Sequence, residues 1–220
     1  ENGETILYPD MVILNPDFLI DITALCACMK PYGNSPYAHL LNKMSLRARS
    51  AAIQLGNVAN LFLDECVNES PADHDRPEEE LYLRAIRKSF CETPLEYATL
   101  EGIDRDFFNQ CAAQFHAIRE TVRGKFSAAD IDINTSDVRL EPSFLCEAMG
   151  IQGRMDLLIN NLSKLVELKS GKAEEFPHLH PRNEHQIQMA LYKEMLYYNM
   201  DMPHNKVQSY LFYSRYPKFY

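Results

Sequence analysis

Two carboxylates in this chain stand where a fold can least easily hold them. The segment Gly153-Arg154-Met155-Asp156-Leu157-Leu158-Ile159 reads as a strand buried on both faces, and Asp156 interrupts it. An unpaired charge is costly in such a strand, so the fold has to supply a partner. Farther along, Val166-Glu167-Leu168-Lys169 repeats the pattern, and the i, i+2 spacing puts Glu167 and Lys169 on one face of a strand. If the intervening turn centres between Asn161 and Leu162, Asp156 falls directly across from Glu167, with Cβ atoms about 4.5 to 5.5 Å apart. A register slip of one residue would send the acids to opposite faces.

Two carboxylates that close repel unless a cation or a proton lies between them. Two readings stand at this point. In one, the acids hold a hard divalent ion such as Mg²⁺ or Mn²⁺, which favours carboxylate oxygen and can bridge to a phosphate. Lys169 then orients or deprotonates an attacking water, or stabilises charge building on phosphorus. In the other, Lys169 and an acid form a buried ion pair that merely fixes the hairpin.

The surrounding pattern sets this hairpin in an α/β chain. Met11 to Leu14 predicts a strand, Asp17 to Met29 a helix, and the cluster from Lys30 to Pro36 a break. Apolar residues at helical spacing predict one long helix from about Met44 to Val67, then helices over Glu78 to Cys91 and Asp104 to Arg123, the last ending near Gly124. Pro77-Glu78-Glu79-Glu80 reads as a solvated helix start. From Val138 the texture changes: Ser143 to Ala148, Gln152 to Ile159 and Lys164 to Leu168 predict three strands in a meander. A helix over Pro181 to Met200 and a strand over Val207 to Tyr213 follow. The expected organisation is one domain over 1–220, with a mainly helical lobe over 1–135 and a sheet with its helix over 136–220.

With 220 residues, 46% of them hydrophobic, the chain can bury one sizeable core. Its net charge of −9 argues against a protein that coats nucleic acid by bulk electrostatics, but not against an enzyme acting on it. No run of about 18 apolar residues predicts a membrane span, and no secretory signal opens the chain, so the cytosol is the expected compartment. The six cysteines are scattered through core-like segments and read as reduced thiols. The abrupt start at Glu1 and the stop directly after a strand predict a piece of a longer protein.

Gly-Arg-Met-Asp at 153–156, Glu-Leu-Lys at 167–169 and Gln188-Met189-Ala190-Leu191-Tyr192, in this order and spacing, resemble the RecB-like branch of the PD-(D/E)XK nucleases. That branch includes CRISPR-associated exonucleases, AddB-type repair nucleases and the nuclease part of replication helicase-nucleases. The resemblance implies a restriction-endonuclease-like mixed sheet with flanking helices and an N-terminal helical lobe. It implies that Asp156 and Glu167 bind Mg²⁺ or Mn²⁺, that Leu168 lends its backbone carbonyl, and that Lys169 is the catalytic lysine. Gln188 and Tyr192, four apart and so on one helix face, would line the site and contact DNA. The implied substrate is single-stranded DNA or strand ends in replication or repair, with a helicase domain in the same parent chain as a candidate partner. An inactive nuclease-fold module that positions DNA or a partner protein is the alternative.

Upstream, Gly56-Asn57-Val58-Ala59-Asn60 looks like the branch's Gly-x-x-x-His motif, with Asn60 in place of the ligating histidine. An amide oxygen is a weaker ligand for a transition metal but acceptable to Mg²⁺. Gly56 would permit close approach of the helix to the sheet. Glu147 matches an acid that precedes the Gly-x-x-Asp strand and is a further metal candidate. The branch's iron–sulfur cluster would take Cys26 or Cys28 as its first ligand, but no cysteine follows Cys146, so these residues cannot complete it. His178, His180 and His185 read as an exposed loop rather than a zinc site. Lys172, Arg182 and His185 are candidates for holding a phosphate backbone.

Overall fold

The computed structural model describes residues 18–30, 37, 41, 44–45, 49–133, 137–159, 161–174, 178–215 and 218–219. The strand expected over Met11 to Leu14 lies outside them. After a short strand β1 (Ile20–Asp21) comes helix α1 (Ile22–Cys28), which starts later than the expected Asp17. Helix α2 (Ala51–Val67) also begins later than the apolar spacing predicts. Ser50 is the reason: its backbone is extended and its side chain accepts the Ile53 N–H, which caps the helix there.

Helix α3 (Glu78–Glu92) follows the predicted bounds closely, and α4 (Pro94–Thr99), which the apolar spacing did not predict, follows at once with Pro94 in its first turn. Helix α5 (Arg105–Glu120), capped by Asp104, does not stop at Gly124; it runs through a π-helical turn (Thr121–Lys125) into α6 (Phe126–Ala128). A lone glycine is a tolerated interior residue, and the turn's widened backbone carries it.

Strands β2 (Val138–Leu140), β3 (Ser143–Cys146), β4 (Ile151–Arg154), β5 (Leu157–Ile159) and β6 (Lys164–Lys169) then replace the expected meander. The stretch read as one strand over Gln152 to Ile159 is two, and they belong to different sheets. β4 lies between β1 and β3, whereas β5 lies between β2 and β6. The bend has a local cause. Pro142, which has no N–H to give a ladder, and Glu141, at φ 49°, sit across from Met155 and Asp156. Met155 N–H donates to the Pro142 carbonyl and Glu141 N–H to the Asp156 carbonyl, so both arms of the hairpin turn the same corner.

Helix α7 (Asn183–Met200) leads to β7 (Gln208–Tyr213), parallel to β6, and β8 (Lys218–Phe219) closes the five-stranded order β2-β5-β6-β7-β8. The inner hairpin has the expected register: Leu157 faces Val166, Leu158 faces Leu165, and Ile159 faces Lys164. Asn161 and Leu162 both have positive φ, 55° and 66°, as a primed two-residue turn requires.

Alternation along these strands separates two cores. Leu157, Ile159, Val166, Leu168 and Phe212 pack with the helical lobe, whereas Leu158, Leu165, Leu211 and Tyr213 pack with α1 and α7. Lys164, nearly buried within β6, ties the sheet to the lobe by donating to the Ala129 and Asp130 carbonyls. Among the described residues no helix is long and apolar enough to cross a membrane.

Candidate active site

The corner that splits the long strand is where Asp156 sits. Extending the inner register by one residue beyond Leu157 and Val166 sets Asp156 across from Glu167, as the turn position predicts. Both are buried, at 8% and 4% exposure. Asp156 Oδ2 accepts the Leu168 backbone N–H at 2.7 Å, so a side chain fills the place that a ladder carbonyl would occupy. Burial first, and then the charge of Glu167, hold the Asp156 carboxyl well above the usual carboxylate range.

Glu167 is held from two sides. Its Oε1 accepts Lys169 Nζ at 2.8 Å and Gln188 Nε2 at 2.7 Å. Its Oε2 is buried and has no hydrogen-bond partner. Gln188 Nε2 also donates to the Tyr192 hydroxyl at 2.9 Å, and that hydroxyl donates to the Arg154 carbonyl at 2.7 Å. Gln188 and Tyr192 are buried, at 3% and 1% exposure. Their polar atoms serve the acid and the strand. Burial pushes the Tyr192 phenol upward, which keeps it a neutral donor.

Gly153 makes this clamp possible. A Cβ there would stand 3.0 Å from Tyr192 Cε1 and 3.1 Å from Ile22 Cδ1, so the ring lies directly on the bare strand. Gly56 has the expected role in milder form: a Cβ on it would meet Ser170 Oγ at 3.3 Å, where α2 crosses the end of β6. Asn60, one turn farther along α2, borders a cavity of about 380 Å³ together with Asn57, Leu168 and Lys169.

Glu147 is not brought to the group. It is exposed in a 3-10 turn at the far end of the β3–β4 hairpin, where Cys146 pairs with Ile151, whereas Asp156 follows the opposite end, where Ser143 pairs with Arg154. Spacing in sequence placed it near Asp156, and the extended hairpin carries it away. Two other acids are linked to this end of the hairpin. Glu141 lies at the corner and adds to the upward shift of Asp156. Asp64, one turn beyond Asn60 on α2, is raised to about 6 by burial and then by Glu141. The four-residue step from Asn60 was a signal for Asp64; nothing local marked Glu141.

Among the described residues no three of His, Cys, Asp and Glu converge as a ligand set. The histidine loop is partnered otherwise: His180 pairs with Glu174 at 2.9 Å, and His185 Nδ1 meets the Tyr213 hydroxyl at 2.6 Å. All six cysteines are free thiols, and Cys26 lies in the core beside Tyr192. Two buried carboxylates, one of them with an unpartnered oxygen, nonetheless fit a hard divalent cation, which binds through one or two carboxylates and keeps several waters.

The sequence profile of the PD-(D/E)XK nuclease superfamily matches the chain over residues 29–218. The chain belongs to this superfamily. The mixed sheet with helices on both faces is its restriction-endonuclease-like fold. Superfamily members are nucleases that use divalent metals such as Mg²⁺ or Mn²⁺. No curated protein matches the chain.

Proposed function

We propose that this chain is a divalent-metal-dependent deoxyribonuclease of the RecB-like branch, which hydrolyses phosphodiesters in single-stranded DNA or at strand ends during replication or repair. The observation that carries the reading is the buried pair itself: Asp156 across from Glu167, with Lys169 on Glu167 Oε1 and Glu167 Oε2 unpartnered. Asp156 and Glu167 would hold the cation, with the Leu168 carbonyl as a third oxygen and Asn60 as a neutral donor across the cavity. When bound, the cation polarises the phosphoryl oxygen and lowers the pKa of an attacking water. Lys169 supplies positive charge where the phosphorus centre becomes more anionic. Gln188 fixes the rotamer of Glu167, and Tyr192 fixes Gln188.

The test is incubation with end-labelled single-stranded DNA and Mg²⁺ or Mn²⁺, beside Glu167→Ala and Lys169→Ala. Equal degradation by all three would sink the assignment. RNA and nucleotide substrates run alongside decide whether DNA is the preferred class. A second reading, a non-catalytic module that positions DNA or a partner protein, is favoured by the net charge of −9 and by Asn60 in the histidine position. Metal calorimetry separates the two, because a dead scaffold shows no divalent binding that depends on Asp156. In the nuclease reading, a helicase domain in the same parent chain is the candidate partner and the cytoplasm the expected compartment.

A further inference from the structure

The row on α7 that holds Glu167 continues one turn toward the helix start. His185 lies three residues before Gln188, on the same helix face and roughly 5 Å nearer the N-terminus. It borders the cavity beside Lys169. The ring is fixed from behind by Tyr213, which is fully buried and pairs with Lys169 across β6 and β7. The Tyr213 hydroxyl oxygen accepts the Arg182 backbone N–H at 3.1 Å and stands 2.6 Å from His185 Nδ1.

The Tyr213 hydroxyl already accepts the Arg182 N–H, so its proton is available to Nδ1; a neutral ring engaged in that way carries its own proton on Nε2. Burial first, and then the positive charges of Lys169, Arg182 and Lys30, press His185 down to about 3, so the ring is neutral. Its Nε2–H makes no hydrogen bond among the described residues.

Arg182 adds a second donor. Its Nε is buried without a hydrogen-bond partner, and its guanidinium approaches Glu184 only at 3.8 Å. Lys172 is exposed on the rim of the same cavity, and among the described residues that line it none is a carboxylate. In a protein of net charge −9, these cationic donors next to Lys169 are a local exception.

We infer that His185, Arg182 and Lys172 form a phosphate subsite for a nucleic-acid strand. It holds the non-bridging oxygens of a phosphodiester adjacent to the one presented to Asp156 and Glu167. Tyr213 is the positioning residue that keeps Nε2–H turned toward the strand. The inference rests on the nuclease reading for its substrate, and it assigns the three donors distinct physical roles. Lys172 and Arg182 neutralise phosphate charge and release counterions, whereas the neutral His185 contributes direction without charge.

The experiment measures binding of a fluorescein-labelled oligothymidylate by fluorescence anisotropy, in EDTA to prevent cleavage and across a series of salt concentrations. Lys172→Ala and Arg182→Ala each lower the slope of log affinity against log salt by about 0.7. His185→Ala weakens binding about tenfold, the scale of one hydrogen bond to a charged group, and leaves the slope unchanged. His185→Gln, which restores an Nε2 donor, recovers most of the affinity. Nitrogen-detected ring resonances show the Nε2–H tautomer in the wild type and a mixture in Tyr213→Phe.

Wild-type affinity in His185→Ala, a changed salt slope in that variant, or an Nδ1–H tautomer in the wild type overturns the subsite. The same oligonucleotide with Mg²⁺ or Mn²⁺ tests the nuclease reading separately. Cleavage by the wild type with unaltered His185→Ala binding discards the subsite alone. Absence of cleavage with the predicted binding losses discards catalysis and leaves the subsite standing.

Discussion

Glu69 and Glu167 bury their side chains to the same 5% exposure, and each meets a basic residue, yet the two groups are built in opposite ways. Glu69, just beyond α2, faces two arginines: Arg119 Nε donates to one oxygen at 2.7 Å and Arg123 Nη2 to the other at 2.7 Å. Both carboxylate oxygens are satisfied, and the acid is outnumbered by cations. Around Glu167 the ratio is reversed. Among the described residues Lys169 bonds Glu167 alone, Asp156 has only the Leu168 N–H, and one oxygen of Glu167 has no partner. A buried pair that only stabilises a fold is expected to close its own charge balance, as Glu69 does once Glu78, 3.6 Å from Arg119, is counted as the second acid. Under the proposed nuclease reading, the second acid and the open oxygen are what a divalent cation would meet.

The largest expected effects separate these two groups directly. Lys169→Ala lowers the rate on end-labelled DNA by about 10²- to 10³-fold, and Glu167→Ala by at least as much, while both remain folded. Glu69→Ala does the reverse. It strands Arg119 in the interior and costs roughly 3 to 5 kcal/mol in denaturant unfolding, with the rate per folded molecule retained. A catalytic loss in Glu69→Ala without a stability loss would erase the distinction.

Gly153→Ala presses on the open group from behind. The new methyl would stand against Tyr192 and Ile22, so overpacking costs about 1 to 3 kcal/mol, and cleavage falls because Gln188 and Glu167 lose their support. Gly124→Ala is the control: a Cβ there meets nothing within 4 Å, and thermal unfolding stays near the wild-type midpoint.

Asp156→Asn probes the proposed cation site without moving backbone. The amide oxygen can still accept the Leu168 N–H, and the carboxyl whose ionisation burial and Glu167 oppose is removed. Metal-free stability therefore rises by about 1 kcal/mol, seen as a midpoint increase of about 2 to 4 °C. Mg²⁺ raises the midpoint of the wild type and no longer does so in the variant. A variant less stable than the metal-free wild type would show that the two acids do not repel.

The smallest effect is in acid. His185 is held near 3 in the folded protein against 6.5 in the unfolded chain. Between those values the unfolded chain holds a proton that the folded one lacks, so stability is complete above about 6.5 and falls as the pH drops toward 3. His185→Gln makes that decline shallower, measurable as midpoint against pH.

Much of this arrangement was legible in the sequence because its cues are local. Helices over Glu78 to Cys91 and Pro181 to Met200 were predicted from residues within a few turns, and the α7 boundaries moved little. The register of the inner hairpin followed from the position of one turn. Because side chains alternate, that turn also placed Asp156 opposite Glu167. The apolar pattern overran where a cap intervened, at Ser50, and the 3-10 turn that carries Glu147 lies at the end of the hairpin away from Asp156.

Alternation and spacing in the sequence alone therefore determined the acid pair, its lysine and the helix that follows. Tertiary structure decided the rest. The corner at Glu141-Pro142 and Met155-Asp156 divides one apparent strand between two sheets, because hydrogen bonds between the two arms of the hairpin hold the bend. Gln188 turns inward to Glu167, and Tyr213 fixes His185 from a strand 28 residues away, because packing across the sheet brings those groups together. Periodicity reports which face a residue takes. Which groups then meet across that face depends on long-range pairing, and only the assembled fold contains it.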